Sequence, residues 1–273
     1  MNIGVFEHSP AFEKIAAQLR LRILQSGFGS MDSRWTTPEV TIPASSLIFL
    51  TAGEACYQFA QHNVQLRPGR AYLMPKHARV AKVCTAEFTA LYFNFCLEIY
   101  PTRDLFDGLG HCLEMSFPPV EVDDLLVLFR RGTLSATARL EARLLTLLAG
   151  LIDGCAVDLM VNAAHGEKFR GVFNVIGARA GFSLTPQLVA RELSVAERSL
   201  TAAFRRYMGV TLREYILREV ISRAMERLAA TSDKVRDIAT DLAFADEYYF
   251  SRFFKKRTGL SPLEYRRSFS GGR

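Results

Sequence analysis

The sequence has few cysteines, no closely spaced cysteine pair and no long apolar run. Its five cysteines are an odd number and are widely spread: Cys56, Cys84, Cys96, Cys112 and Cys155. This pattern indicates buried thiols in a reducing compartment. No stretch reaches the roughly 18 apolar residues that a membrane span needs. Glu7, His8 and Glu13 stand where a secretory signal would have a basic start and an apolar run, so we expect a cytoplasmic protein.

Charge is distributed unevenly along the 273 residues. From Glu167 onward there are 20 Lys and Arg against 12 Asp and Glu, a net charge of +8, whereas the first 166 residues have 14 against 16, a net charge of −2. A basic C-terminal part beside a near-neutral N-terminal part is typical of nucleic-acid binding, although an ordinary solvated basic surface has the same composition. The length suits two domains, each with its own core.

Two short amphipathic patterns near the C-terminus are separated by a tight turn. The first predicts a helix over about 234–242, capped by Ser232 or Asp233, with apolar residues on one face. After the turn at Ala243-Phe244, Asp246 can cap a second helix that runs to about Arg257. Gly259 then ends this second helix. The apolar stripe of the second helix consists of Tyr249, Phe250, Phe253 and Phe254. The pair predicts a helix-turn-helix, whose second helix enters the DNA major groove.

The same region carries a family resemblance. The run Asp237-Ile-Ala-Thr-Asp-Leu-Ala-Phe-Ala-Asp-Glu-Tyr-Tyr-Phe-Ser-Arg-Phe-Phe-Lys-Lys, followed by Gly259-Leu-Ser-Pro and Tyr265-Arg-Arg, resembles the signature of the arabinose-operon regulator (AraC/XylS) family of bacterial transcription factors. The resemblance covers about a hundred residues. One departure is Ala243, where the family usually has Gly. If this turn needs a positive φ, Ala costs roughly 1 kcal/mol.

A second helix-turn-helix precedes the first along the chain. Thr185 and Pro186 begin a predicted support helix that ends near Leu193, and Glu197 to Met208 form the predicted recognition helix, ended by Gly209. This half resembles the family motif at Ala190, Leu193, Arg198, Leu200, Phe204 and Gly209. It departs from the motif at Ser194, where the family has a turn Gly, and at Ala196, where it has a capping Ser; loss of a cap costs roughly 1 kcal/mol. A helix over about 212–229, with Val220 where the family commonly has Arg, connects the two motifs.

The resemblance also implies which side chains meet DNA. The residues that align with base-reading positions of the family are Arg198, Thr201, Glu247, Tyr248, Ser251 and Arg252. Arg can bind guanine with two hydrogen bonds, Glu can accept from cytosine, and Thr or Ser can use either edge. Each could instead be a surface residue or a phosphate contact. One turn further on, the expected phosphate contacts are Arg205, Arg206, Lys255 and Lys256.

Short strand patterns dominate the N-terminal part after a predicted helix that opens at Ser9-Pro10. Seven of them begin near residues 19, 46, 55, 64, 70, 80 and 88, with Gly, Pro or Asn between them, which predicts a small β-barrel or sandwich. Gly53 and the Pro-Gly turn within Leu66 to Pro75 resemble the cupin barrel that many members of the family use as a sensor.

The residues expected to hold a metal in a cupin enzyme are absent from this region. His62 and His77 are fifteen residues apart without a His-x-His motif, so we expect His62 in a turn and His77 at the rim, and neither as a ligand. A bound molecule would be recognised by shape, with aromatic wall candidates Trp35, Tyr57, Phe59, Tyr72, Tyr92 and Phe93. About half of these are expected to be core residues.

A leucine-rich helical pattern runs from about Glu121 to Leu151, with a break at Arg130-Arg-Gly-Thr. It resembles the dimerisation element of the family, although such helices could also simply pack on the barrel. Residues 153–167 are the expected linker. The expected fold class is thus α+β with two domains: a cupin-like barrel over 1–120, a helical segment over 121–166, and an all-α DNA-binding domain over 167–273.

Together these patterns predict a sequence-specific transcription regulator, and an activator rather than a repressor. The resemblance implies double-stranded DNA and RNA polymerase as partners, with a homodimer and a small-molecule effector in addition. A regulator controlled by a partner protein is one alternative, and a cupin enzyme fused to a DNA-binding domain is another. No catalytic metal ligands or acid–base pair point to an enzyme, and no cofactor is expected.

Overall fold

The computed structural model describes residues 17–154 and 166–270, without the side chains of 268–270. The helix predicted at Ser9-Pro10, most of the predicted linker and Cys155 lie outside these residues. No helix in the two described ranges is long and apolar enough to cross a bilayer. Cys56, Cys84 and Cys96 are buried free thiols as expected, and Cys112 is half-buried.

The N-terminal part is built from antiparallel strands joined by short turns. They are β1 (Arg20–Met31), β2 (Thr37–Thr41), β3 (Ser45–Ala52), β4 (Ala55–Gln58), β5 (Asn63–Leu66), β6 (Arg70–Met74), β7 (Arg79–Val83), β8 (Phe88–Tyr100), β9 (Arg103–Asp104) and β10 (Leu113–Ser116). A 3-10 turn, Ser33–Trp35, connects β1 to β2. The sequence patterns located seven of these strands; β2, β9 and β10 were not predicted.

The strands form two open sheets. The larger sheet has the order β1-β8-β3-β6-β10, with β9 beside β8, and the smaller has the order β2-β7-β4-β5. The strand pairing therefore shows two open sheets and not a closed barrel.

Successive apolar side chains of the central strands point to opposite sides, so the larger sheet has two apolar faces. Ile48 and Leu50 of β3 face the smaller sheet and share a core with Val80. Leu47 and Phe49 point the other way, into a core shared with helices. Because successive side chains of a strand point to opposite faces, strands that are apolar at every position lie at the centre of a layered structure.

Two helices cover the outer face of the larger sheet: α1 (Pro119–Arg131) and α2 (Leu134–Gly154). They are separated at the predicted break, where Gly132 has a φ of +59°. Leu140, Leu144 and Leu148 of α2 are buried in the core against the sheet. Most of the leucine stripe is thus used to pack this helix on the sheet.

The C-terminal domain is all helical. Its helices are α3 (Arg170–Arg179), α4 (Pro186–Glu192), α5 (Glu197–Met208), α6 (Leu212–Ala230), α7 (Val235–Asp241), α8 (Glu247–Thr258) and α9 (Pro262–Ser270). Helix α6 is at its centre, and the residues predicted to face inward from it, including Tyr215, Ile216 and Val220, are buried. The fold is therefore a mixed α/β arrangement of two domains with a helical C-terminal domain.

A buried set of charged side chains joins the two domains. Lys76 Nζ donates to Glu219 Oε1 of α6 at 2.7 Å, His77 Nδ1 lies 3.0 Å from Asp107 Oδ1, and Arg103 donates to the same Asp107 carboxylate at 2.7 Å. We call these five residues the interdomain cluster. His77 lies in the turn between β6 and β7 with a φ of +65°, and it is buried where the C-terminal domain packs on this end of the sheets.

Neighbouring charges stabilise the ionised forms of Lys76 and Asp107 within this cluster. Burial alone would lower the pKa of the Lys76 ammonium, but the neighbouring Glu219 carboxylate raises it well above its ordinary value. Burial would likewise raise the pKa of Asp107, yet His77 and Arg103 hold it well below its ordinary value. The backbone carbonyl of Thr102 accepts from the Tyr215 hydroxyl at 2.9 Å and adds a further link to α6.

Candidate nucleic-acid interface

The first helix-turn-helix unit consists of α4 and α5. Thr185 caps α4, since its hydroxyl accepts from the backbone N–H of Leu188 at 3.2 Å, and Pro186 occupies the first turn as predicted. Helix α5 has the predicted bounds, Glu197–Met208, and ends at Gly209 with a φ of +70°. Ala196 is at the N-cap of α5 and makes no capping bond, because alanine has no polar side-chain atom.

The second unit consists of α7 and α8. The Asp246 carboxylate accepts from the backbone N–H of Tyr249 at 2.6 Å and caps α8, while Gly259 ends that helix in the left-handed region. The cap predicted for α7 is wrong: Lys234 is at the N-cap and makes no side-chain capping bond. Asp233 instead forms an ion pair with Arg227 of α6 at 2.6 Å, which anchors the connection between these helices.

Both units use the same turn after the support helix. Ser194 has a φ of +54° and Ala243 a φ of +59°. The next residue in each turn donates back to the helix: Val195 N to Ala190 O at 3.0 Å, and Phe244 N to Ala239 O at 2.9 Å. These bonds satisfy carbonyls that the end of a helix leaves free. The turn therefore requires positive φ, and Ala243 keeps it at a cost of roughly 1 kcal/mol.

The predicted base-reading residues lie on the two recognition helices. Arg198, Glu247, Tyr248 and Arg252 are exposed, and the side chain of Tyr248 is 82% exposed although it is a large aromatic. Ser251 and Thr201 are half-buried. The Thr201 hydroxyl donates to the Glu197 carbonyl at 2.9 Å, so it already has a partner within α5.

The predicted phosphate contacts are four exposed cations at the ends of the same helices: Arg205, Arg206, Lys255 and Lys256. They occupy the last turns of α5 and α8. Cations near a helix C-terminus also interact favourably with its partial negative charge. Arg257 differs from them, because its guanidinium donates to Glu214 of α6 at 2.5 Å and is half-buried.

An aromatic contact holds the segment between α3 and α4 against the second unit. The Phe182 ring stacks on Phe244 with centroids 4.5 Å apart and meets Tyr249 and Phe253 edge-on at 5.3 and 5.5 Å. The backbone N–H of Phe182 also donates to Leu242 O at 2.7 Å. The sequence patterns did not identify Phe182, because an isolated aromatic residue between two helices carries no periodicity.

Arginines of helix α6 tie the first unit to the same centre. Arg213 donates to the backbone carbonyls of Leu184 at 2.5 Å and Phe182 at 3.2 Å. Arg223 donates to the carbonyls of Gly177, Ile176 and Ala180 at the end of α3. Arginine side chains of α6 thus bind backbone carbonyls at the end of α3 and in the segment before α4. Helix α6 therefore holds both units in a fixed arrangement.

The aromatic wall candidates of the N-terminal domain do not share one face. Trp35, Tyr57, Phe59, Tyr72 and Tyr92 belong to the core between the two sheets, whereas Phe93 points into the core beneath the helices. The Tyr72 hydroxyl donates to Gln65 O at 3.0 Å and accepts from Arg67 N at 2.9 Å, so it stabilises a turn. His62 is exposed in the turn between β4 and β5, as predicted, and stacks on Phe59.

Comparison with known proteins is consistent with these helical units. A family model described as a helix-turn-helix domain matches residues 189–268. The HTH-type transcriptional regulator YijO of Escherichia coli is 30% identical over 133 residues, which cover 49% of this chain and 46% of that protein. The HTH-type transcriptional activator RhaR of Yersinia pseudotuberculosis is 30% identical over 119 residues, 44% of this chain and 37% of that protein. The chain thus spans less than half of the length of these two relatives.

Similarity also extends beyond the C-terminal domain. The Msm operon regulatory protein of Streptococcus mutans is 21% identical over 242 residues, covering 80% of this chain and 82% of that protein. The crystal structure of unsaturated fatty acid bound ToxT from Vibrio cholerae superimposes with a TM-score of 0.58 over 91% of this chain and 94% of that chain. At 14% identity this likeness shows a shared fold across both domains.

Proposed function

Because the chain belongs to the AraC/XylS family of transcription regulators, we propose that it binds a specific DNA site through both helix-turn-helix units. The observation that carries this proposal is the support of two exposed recognition helices, α5 and α8, by the single helix α6. Two recognition helices on one rigid support can enter successive major grooves on one side of the duplex, roughly 34 Å apart.

The exposed side chains support a division of roles at this interface. Arg198 and Arg252 are suited to guanine edges, and Glu247 to cytosine. Thr201, Ser251 and Tyr248 complete the base-reading surface, in which Thr201 offers its methyl group because its hydroxyl is bonded to the helix. The four cations at the helix ends add affinity through phosphates without sequence information.

The N-terminal domain acts as the sensor in this proposal. Residues 1–120 form a cupin-like sandwich that binds a small molecule, residues 121–166 include the dimerisation segment, and residues 167–273 bind DNA and recruit RNA polymerase as an activator. A fold shared with fatty-acid-bound ToxT supports a small-molecule effector, and a relative described as an activator supports this direction of regulation. The protein is a regulator in this proposal and not an enzyme.

Fluorescence anisotropy tests the proposal with the full chain. The protein is titrated against its own upstream DNA and against a random duplex of equal length, from about 50 to 200 mM salt. We expect a preference for the upstream duplex and a loss of roughly 10³-fold in affinity over this range, as for about six phosphate contacts. Weak binding that is equal on both duplexes, and unchanged for residues 167–273 alone, contradicts the proposal.

A further inference from the structure

The two recognition helices have the same length and the same kind of boundaries, so their positions can be compared one by one. Helix α5 begins at Glu197 and helix α8 at Glu247, and each helix has 12 residues. Each ends at a glycine in the left-handed region, Gly209 or Gly259. Every residue of α5 therefore has a counterpart at the same distance from the start of α8.

Burial supports this correspondence. Phe204 of α5 and its counterpart Phe254 of α8 are completely buried in the core of the C-terminal domain. One turn earlier, Leu200 and its counterpart Phe250 pack into the same core. The two helices thus turn matching faces inward, and matching faces are left exposed to solvent.

On the exposed face the arginine stands at a different position in each helix. The second residue of α5 is Arg198, whereas the second residue of α8 is Tyr248. One turn later the order is reversed, since α5 has Ala202 and α8 has Arg252. All four side chains are exposed, and residues four apart are neighbours on a helix surface. Each helix therefore presents one guanidinium group and one uncharged side chain, in opposite order.

Both guanidinium groups are available to a base. Other arginines of this domain are bound to protein groups, such as Arg179 to Glu192 and Arg257 to Glu214. Within the part of the chain that the structure describes, Arg198 and Arg252 form no ion pair and no hydrogen bond through their side chains. A free arginine can donate two hydrogen bonds to the O6 and N7 atoms of guanine, which is the commonest specific contact in the major groove.

Ala202 and Tyr248 are suited to a different base. The side chain of Ala202 ends at Cβ and has no polar atom, so its contact with a base can only be apolar. The ring of Tyr248 is 82% exposed, whereas the next residue, Tyr249, packs edge-on against Phe182. Thymine presents a methyl group in the major groove, and apolar side-chain atoms are its partners. Contact with this methyl group would remove apolar surface from water.

The neighbour of Ala202 adds to the apolar surface of α5. The hydroxyl of Thr201 donates to the Glu197 carbonyl at 2.9 Å, so the methyl group of Thr201 is the part that remains for a base. Its counterpart in α8 is Ser251, which has no methyl group. The apolar contact of α5 is therefore in the second turn, and that of α8 is in the first.

We propose that each unit reads one guanine and one thymine, in opposite order along its recognition helix. In the first unit Arg198 binds the guanine and Ala202 contacts the thymine methyl group. In the second unit Tyr248 contacts the thymine methyl group and Arg252 binds the guanine. This inference rests on the proposed function, since it names the bases that the two units distinguish.

Two base analogues that each remove one group test the inference. Deoxyuridine in place of thymidine removes the methyl group, and 7-deazadeoxyguanosine in place of deoxyguanosine removes the N7 acceptor. The full-length protein is titrated by fluorescence anisotropy against upstream duplexes in which one thymine or one guanine at a time is replaced. We expect a loss in affinity of roughly 3- to 5-fold at one thymine in each half of the site. The expected loss at one guanine in each half is at least roughly 5-fold.

Variants assign each of these bases to a side chain. Ala202→Gly should abolish the effect of deoxyuridine at one thymine, and Tyr248→Ala should abolish it at the other. Arg198→Met and Arg252→Met should each abolish the effect of 7-deazadeoxyguanosine at one guanine. The normal and substituted duplexes are compared within each variant, so a loss of helix stability in Ala202→Gly affects both duplexes and cancels. Tyr248→Phe should keep the effect of deoxyuridine, because the ring remains.

Lys255→Met is the matched control, because Lys255 is an exposed cation of α8 that is expected at a phosphate. It should weaken all duplexes alike and leave the effect of each analogue unchanged. The inference is overturned if no thymine responds to deoxyuridine, or if its effect persists in both Ala202→Gly and Tyr248→Ala. It is also overturned if Tyr248→Phe loses as much affinity as Tyr248→Ala while deoxyuridine has no effect, since the hydroxyl would then bind a phosphate.

Failure of this inference differs from failure of the proposed function. A preference for the upstream over the random duplex, without coupling between these side chains and the analogues, leaves sequence-specific binding in place and refutes only the base assignment. Weak binding that is equal on both duplexes, for the full chain and for residues 167–273, refutes the proposed function and the base assignment together.

Discussion

The Glu219 carboxylate accepts a hydrogen bond from Lys76 Nζ at 2.7 Å, and both side chains are almost completely buried between the two domains. Glu219 belongs to helix α6, which supports both helix-turn-helix units, and Lys76 follows strand β6 of the sensor domain. The pair thus connects the proposed sensor directly to the helix on which the proposed DNA interface is built.

Removal of one partner of this pair should destabilise the protein strongly. Lys76→Met or Glu219→Leu alone leaves an uncompensated buried charge, with an expected loss of about 3–5 kcal/mol in the free energy of unfolding. The double variant should recover most of this loss, because the two opposite charges of the pair are removed together. Urea denaturation of the four proteins gives the coupling energy directly.

An exposed pair provides the control for that experiment. Arg79 donates to Glu39 at 2.7 Å, but the two side chains are 69% and 45% exposed. Glu39→Ala should therefore change stability by less than about 1 kcal/mol. In the buried pair, losses of stability that simply add in the double variant would contradict the interaction between Lys76 and Glu219.

The sequence could not have predicted this connection, although it predicted the elements on both sides. Amphipathic periodicity and capping residues located α5 and α8 closely, because these signals are local to each helix. The partners Lys76 and Glu219 are far apart in the chain, and a lone Lys or Glu in a pattern predicts a solvated surface. The same holds for the burial of His77 against Tyr215 of α6.

Among the strands too, local patterns predicted some elements and missed others. Short apolar runs bounded by turn residues located β3, β6 and β8, whereas β2 was missed because Pro38 and Glu39 interrupt its apolar pattern. The pairing that forms two open sheets depends on long-range contacts that no local pattern contains. The aromatic wall candidates could be chosen by residue type alone, but the face on which each of them lies follows only from strand register.

Substitution of Arg252 tests base reading within the DNA interface. Arg252→Ala should cost about 1–3 kcal/mol at the upstream site and relax selectivity at one base step, because an exposed Arg on α8 can bind a guanine edge with two hydrogen bonds. Anisotropy on a set of duplexes with single base changes measures both effects.

Arg236 is the matched control for Arg252. It is an exposed arginine on the support helix α7, outside the predicted base-reading surface. Arg236→Ala should leave the order of preference among the duplexes unchanged. If Arg252→Ala weakens upstream and random duplexes equally, Arg252 contacts phosphate and does not read a base.

The turn residue Ala243 should be improved by glycine. Its φ of +59° is costly for a residue with a Cβ, so Ala243→Gly should raise the free energy of unfolding by up to about 1 kcal/mol. Ala202→Gly, at an exposed position within α5, should lower it by about 1 kcal/mol instead. Chemical denaturation compares both with the wild type, and a loss of stability in Ala243→Gly would contradict the strain.

The pH dependence of stability tests the environment of the Lys82 ammonium group. The pKa of Lys82 is lowered to about 8 in the folded protein, against an ordinary value of 10.5, because burial disfavours the charged form of its side chain. Between these two values the unfolded chain binds more protons than the folded protein, so the stability of the wild type gains a favourable contribution as pH rises through 8. The neighbouring Tyr57 does not interfere, because burial raises its pKa well above its ordinary value.

Lys82→Met removes this buried charge and should therefore be more stable than the wild type at pH 7, by up to about 3 kcal/mol. The difference should shrink as pH rises from about 8 toward 10.5, where the unfolded wild type also loses its proton. Denaturation of both proteins at pH 7 and at pH 9 measures the change. A variant that is less stable at pH 7 would mean that Lys82 is retained for its contact with Trp35.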